Sequence, residues 1–153
     1  MSIKITLGQL STAASSQALA HTSALIPPGS YQFRAAKLLD AVEKELEGIR
    51  KQNNALIKKY GVAQTVEKDG KQVPTGNISM VDASPENVVA FNDAMTELLN
   101  SETTIPYEPI IWSKLGEEAQ RKLTINDVRA LGPLLVEELP GAEPAPATPL
   151  KAV

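Results

Sequence analysis

One histidine, His21, is the only imidazole in a chain of 153 residues that has no cysteine. A metal centre or a catalytic triad needs several such groups converging. With no second His or Cys near it, His21 reads as a surface or helix-face residue. The lack of cysteine excludes disulfides and thiolate metal ligands, and it suits a reducing cytosol. Carboxylates are numerous: Glu43, Glu45, Glu47, Glu117, Glu118, Glu137 and Glu138. Acid–base catalysis needs two of them held together in a pocket. Here they lie among Lys and Arg on solvated faces, and nothing selects one pair. The phosphate-cradling GxxxxGK[ST] and GxGxxG, the zinc-binding HExxH and the nucleophile elbow GxSxG are all missing. The expectation is a protein without catalytic residues, metal, cofactor or small-molecule substrate. A small enzyme or enzyme inhibitor is a third-ranked reading that would require a concave polar pocket.

Charge and hydropathy narrow the partners. Fifteen Lys and Arg against eighteen Asp and Glu give a net charge of −3, without the basic face that grips nucleic acid. The opening MSIKITLGQL is not patterned as a secretory signal, and no apolar run approaches the ~18 residues that span a bilayer. A chain not secreted by a signal peptide, and touching neither nucleic acid nor membrane, is expected. The sequon Asn77-Ile78-Ser79 reads as chance in that setting.

With no chemistry to position, the elements themselves become informative. Residues 30–61 carry Ala35, Leu39, Val42, Leu46, Ile49, Asn53, Leu56 and Tyr60 at spacings of 4, 3, 4, 3, 4, 3 and 4. That is a heptad seam with one polar interruption, and it predicts a helix over 30–60. At 1.5 Å per residue such a helix is ~45 Å long, too long for a small domain to cover from end to end. The rest of the chain or a second copy must meet it. Asn53 either selects register, through an amide that only an aligned partner satisfies, or marks where the seam opens to water. Gly48, off the seam, is either a close contact or a tolerated surface glycine. Ser30 is the expected N-cap and Gly61 the expected left-handed C′ residue.

Around this helix the chain reads in order. Residues 3–7 alternate as a short strand that Gly8 ends, and 10–25 form an Ala/Ser-rich helix broken by Pro27, Pro28 and Gly29. Residues 62–81 are a β-hairpin region turning at Asp69 and Gly70, with a third short strand possible over 78–81. A helix over 84–101 is capped by Ser84 with Pro85 at its first position. It should return along the long helix so that Val88 and Phe91 meet Leu56 and Tyr60. Residues 105–115 read as an edge strand, marked by Pro106 and Pro109, that pairs with 3–7. One or two helical turns over 116–122 precede a short helix within 124–139, opened by the capping box Thr124-x-x-Asp127. Trp112 is either a core residue or a partner anchor. Residues 141–153 are an extended Pro/Ala-rich arm, in which Pro144, Pro146, Pro149 and Leu150 are candidate contacts.

The expected fold is therefore mainly α (α+β). A helical-hairpin domain over 1–140 comprises a long antiparallel helical hairpin with a β-hairpin at its tip, a small sheet at the open end and a short C-terminal helix, followed by the arm. Candidate interaction residues are Leu39, Val42, Leu46, Ile49, Asn53, Leu56 and Trp112, with the four arm residues.

The ordered set IKITLGQL, NALIKKYG, the hairpin with DGK, FNDAMTELLNSE, YEPIIWSKL and LTINDVRALGPLLVEE resembles a family of short tailed-bacteriophage proteins. The likeness covers roughly residues 3–138; the stretch 11–29 and the arm depart from it. It implies a virion structural or assembly protein (head, connector or tail accessory) in the virion or in the host cytoplasm during assembly. Its partners would be other phage structural proteins or further copies of itself. The centre is also similar in plan to a prefoldin subunit, two antiparallel helices with β-hairpins at one end. That implies, as the alternative, an assembly chaperone or adaptor that binds a phage partner transiently.

Overall fold

The computed structural model describes residues 1–139. The elements are β1 (Ile3–Thr6), α1 (Leu7–Ser15), α2 (Ala18–Leu25), α3 (Ser30–Tyr60), β2 (Val62–Lys68), β3 (Lys71–Ser79), α4 (Pro85–Asn100), β4 (Glu102–Ile105), β5 (Ile110–Ile111), α5 (Glu117–Lys122), α6 (Ile125–Leu131) and β6 (Leu135–Val136). Helix predominates, and the strands form three two-stranded sheets, so the fold is mainly α with small sheets. β1 pairs antiparallel with β4, Ile3 facing Ile105 and Ile5 facing Thr103. β2 and β3 form an antiparallel hairpin, and β5 runs parallel to β6.

Local chemistry explains where several elements depart from the pattern. The first strand ends at Thr6, before Gly8, because Thr6 and Gln9 form a reciprocal capping box that starts α1 at Leu7. Gly8 lies inside α1, where a Cβ would sit 3.0 Å from the carbonyl oxygen of Leu99. The single helix expected over 10–25 is two. Thr12, Ser15 and Ser16 turn their hydroxyls onto the carbonyls of Gly8, Thr12 and Ala13, a competition that weakens helices, and Gln17 adopts φ 64° between α1 and α2.

α3 is one unbroken helix of 31 residues. Its N-cap is Gly29, at φ 135°, and Ser30 is already its first residue. At the other end Gly61 is extended, with φ −79°, so it is not the left-handed residue expected. Glycine is required there for space: a Cβ would lie 2.5 Å from the Ile57 carbonyl oxygen and 2.8 Å from Ile78 Cγ2. The hairpin turn follows its sequence signal, Asp69 and Gly70 both having positive φ as a type I′ turn demands. No separate strand forms over 78–81. β3 runs through to Ser79, absorbing Pro74, Gly76 and Asn77 in an irregular stretch of the ladder.

The strand expected over 105–115 is divided. β4 stops at Ile105, Pro106 and Pro109 redirect the chain, and Ile110 and Ile111 join a different sheet, opposite Leu135 and Val136. Trp112 begins a 3-10 turn. The helix opened by Thr124 spans only Ile125–Leu131, since Gly132 (φ 51°) and Pro133 end it and the chain then enters β6.

The core gathers Ile3, Ile5, Leu10, Ala13, Ala35, Leu38, Val42, Ile105, Ile110, Leu115 and Leu134. Thus β1, α1, β4, β5 and the C-terminal turns share one core with the first half of α3, against which α1 and β4 pack directly. The second half has no residue in that core, and α4 has no fully buried residue at all. The start of α4 lies beside the end of α3, where Asn87 Nδ2 donates to the Tyr60 carbonyl at 3.2 Å. The end of α4 meets α1, where the Leu7 N–H donates to the Ser101 carbonyl at 2.9 Å.

Two glycines in this region should respond oppositely to alanine. Gly48 is helical, exposed and has open space where its Cβ would stand. Gly48→Ala should raise stability by ~0.5–1 kcal/mol. Gly61→Ala should lower it by ~1–3 kcal/mol through overpacking at the helix–hairpin junction. Urea denaturation of both variants checks the pair.

Candidate interaction site

The groups most capable of chemistry are dispersed. His21, on α2, stands beside Asp127, the third residue of α6: Nδ1 and Oδ1 are 3.3 Å apart. The histidine side chain is 57% exposed and the carboxylate 10%. Asp127 is fully engaged in capping. Its Oδ2 accepts from the Thr124 N–H and hydroxyl, both at 3.0 Å, and its own N–H donates to Thr124 Oγ1 at 3.2 Å. The Thr124 amide, opposed by desolvation and helped by the Thr124 hydroxyl and His21, holds the Asp127 carboxyl below its ordinary value. The pair therefore ties α2 to α6, and the hydroxyl beside it, that of Thr124, is committed to the cap. Sequence inspection missed this contact because 106 residues separate the two side chains.

The carboxylates are likewise spread over surface helices. Glu47 pairs with Lys51 at 3.3 Å, Glu117 with Arg121 at 4.0 Å and Glu118 with Lys122 at 2.8 Å, each along its own helix. Among the described residues no three His, Cys, Asp or Glu side chains gather as a metal site would require. No helix there is long and apolar enough to cross a membrane. A cleft of about 260 Å³ opens between the start of α3 and the turn after β4, walled by Tyr31, Arg34, Leu38, Tyr107 and Pro109. The Tyr31 hydroxyl accepts the Ile111 N–H at 2.7 Å. Burial raises the pKa of this phenol, against the pull of that N–H, so it is a neutral strut joining α3 to β5.

The seam residues divide into two groups. Val42 and Ile49 are buried, while Leu39, Leu46, Asn53 and Leu56 are half-buried. The first half of the helix is met by its own chain along one face, where Ala35, Leu38 and Val42 are buried, while Phe33 on another face is 77% exposed. From Val42 to Tyr60 the helix runs on for about 27 Å, with α4 and the hairpin as its main company. Asn53 lies in this thinner part. Trp112 is half-buried against the core, and its carbonyl accepts from Gln120 Nε2 at 3.0 Å. Pro144, Pro146, Pro149 and Leu150 lie outside the described residues.

The hairpin at the far end is the surface that sequence reasoning overlooked. Every residue of β2 except Gln64 is exposed, and every residue of β3 except Ser79. Val66, opposite Val73 in the ladder, is 55% exposed. A two-stranded hairpin in water is marginal without a covering layer. Its signal in the sequence was the absence of strict alternation: valines at 62, 66 and 73 are too sparse to build a buried face.

The two edges of this hairpin differ. Lys68 and Lys71 close the two-residue turn as a hydrogen-bonded pair. Bonding alternates along an antiparallel ladder, so Thr65 and Pro74 form a non-bonded pair whose backbone nitrogens face outward. Pro74 has no N–H to offer, and the β3 edge beyond it is irregular. The β2 edge keeps its outward donors at Thr65 and Glu67 and can accept an added strand.

Against protein-family models, curated proteins and solved structures, the chain has no significant match.

The His21–Asp127 lock generates a pH prediction. A carboxyl whose folded pKa is depressed stabilises fully above its unfolded value, near 3.9, and loses that contribution as pH falls through the folded value. Asp127→Ala should cost ~1 kcal/mol near neutrality by removing the capping box. The gap to the parent chain should shrink as pH drops below ~4. Thermal melts between pH 7 and 3 check both statements.

Proposed function

We propose that this is a non-enzymatic structural or assembly protein that acts by packing against other proteins. The reading rests on one observation: every residue of the β2–β3 hairpin except Gln64 and Ser79 is exposed, and the β2 edge carries outward N–H groups. In its finer form the architecture is an antiparallel helical hairpin, α3 and α4, rooted in the core and carrying β2–β3 at its tip. The core anchors the unit, and the tip meets a second copy or a different structural protein through the β2 edge and the Val66–Val73 face. The dispersal of ionisable groups suits a partner-binding role better than a catalytic one. The ordered sequence resemblance supports a tailed-phage setting, as a head, connector or tail accessory in the virion or in the host cytoplasm during assembly.

The alternative is a prefoldin-like chaperone or adaptor that holds its partner only transiently. The exposed Val66–Val73 pair of the hairpin favours that reading too. Prefoldin-type gripping, however, uses free helix tips, and here the start of α3 carries the core residues Ala35 and Leu38, while the residue after α4, Ser101, accepts the Leu7 N–H of α1. That favours the structural role.

Mass photometry of the purified chain, with mass spectrometry of purified particles, tests the proposal. The expected result is self-association or a fixed copy number in particles. Thr65→Pro removes an outward N–H and spares the backbone ladder, although it also removes the 2.8 Å bond from the Thr65 hydroxyl to Gln72 Oε1, and Val66→Asp charges the exposed face. Each should abolish association while far-UV circular dichroism stays that of the parent chain. A strict monomer that is also absent from particles would overturn the proposal, and partner binding without retention in mature particles would select the chaperone.

A further inference from the structure

At the start of α3, the cleft of about 260 Å³ beside Tyr31 is lined by charges of both signs. Arg34, one turn after Tyr31, belongs to its helix wall, and Glu108 to the facing turn between β4 and β5. Residues 31, 34 and 38 are spaced to share one face of the helix. Neither Arg34 nor Glu108 makes an ion pair among the described residues. Glu108 is nonetheless half-buried, a setting in which a carboxylate gains from a cation. Lys37 also lines the cleft, but it walls an adjoining hollow as well, together with Asp40. Arg34 is the cation that belongs to this cleft alone.

A third polar group lines the same cleft. The Tyr31 hydroxyl accepts the Ile111 N–H, and its own hydrogen has no acceptor among the described residues. A phenol can donate one bond while accepting another. Burial raises the Tyr31 pKa, against the pull of the Ile111 N–H and with help from the Glu108 charge, so that hydrogen stays in place at neutral pH. Leu38, Tyr107 and Pro109 supply apolar and aromatic wall. The volume falls just below the ~300–1,000 Å³ of sites that take drug-sized ligands, so a fitting occupant is small. A planar guanidinium matches a carboxylate, yet Glu108 repels a ligand whose charge is only negative. The complementary ligand carries one charge of each sign close together, next to an apolar group.

We propose that this cleft binds a free α-amino acid with an apolar or aromatic side chain. Its carboxylate meets the Arg34 guanidinium and the Tyr31 O–H, and its ammonium meets Glu108. Its side chain lies against Tyr107 and Pro109. This inference is independent of the assembly reading, which rests on the β2–β3 hairpin.

The Ile111 amide reports on the site, because its bond partner is the Tyr31 hydroxyl. Titrating the full chain with L-phenylalanine at millimolar concentrations should shift the NMR signal of that amide saturably. N-acetyl-L-phenylalanine lacks the ammonium and L-phenylalaninamide lacks the carboxylate, and each should bind about fivefold more weakly. Arg34→Gln and Glu108→Gln should each weaken L-phenylalanine binding to a similar degree, with far-UV circular dichroism unchanged. Glu108→Gln should not weaken N-acetyl-L-phenylalanine further, since that probe has no ammonium to lose. Absence of a saturable shift with L-phenylalanine would overturn the proposal. So would N-acetyl-L-phenylalanine binding as tightly as the free amino acid, which would make the site one for acidic peptides.

Discussion

The apolar stripe of α3 governs the rest of the molecule because one rigid helix passes through two environments. Around Ala35, Leu38 and Val42 it is the central column of the core, with α1 and β4 packed directly against it. Burial of that kind, at roughly 25 cal/mol per Å² of apolar surface removed from water, is the main force opposing the conformational entropy of so many short strands and turns. Past Ile49 the same helix has α4 and the hairpin for company, and its seam is only half-buried. A helix cannot stop being a helix where its core ends. The 18 residues beyond Val42 therefore continue as helix, with Ile49 as their one buried residue.

That asymmetry sets the character of the two ends. At the root, paired strands, capping boxes and the Tyr31 strut to Ile111 satisfy the backbone and hold α3 in place. At the tip, β2 and β3 satisfy each other across one ladder and leave both faces in water. Pro74 blunts one edge, a common defence against uncontrolled strand addition. The other edge keeps its outward N–H donors, with Glu67 and Lys68 as its charged side chains.

The ionisable groups fit the same division. Asp127 looks at first like half of a dyad with His21, but its hydrogen bonds are spent on starting α6, and the histidine beside it is open to solvent. The lysine–glutamate pairs follow single helices and are exposed, an arrangement worth little energetically and suited to keeping an extended surface soluble. On the proposed assembly role, recognition would rest on backbone donors and apolar side chains more than on charge.

Much of the fold was legible along the sequence because it depends on neighbours in the chain. The heptad spacing fixed α3 to within a residue, Asp69 and Gly70 fixed the hairpin turn, and Ser84 with Pro85 fixed the start of α4. The mainly α class followed from these. Other features required distant parts to meet. Gly61 is glycine because Ile78 and Ser79 return against it, and no local rule contains that fact. Ile110 and Ile111 abandoned the strand before them because Leu135 and Val136 arrive alongside. One face of the first half of α3 is met by its own chain because α1 and β4 fold back upon it. Periodicity determined which face of each element is apolar; only the tertiary structure decided which of those faces are filled from within, since burial depends on what approaches from elsewhere in the chain.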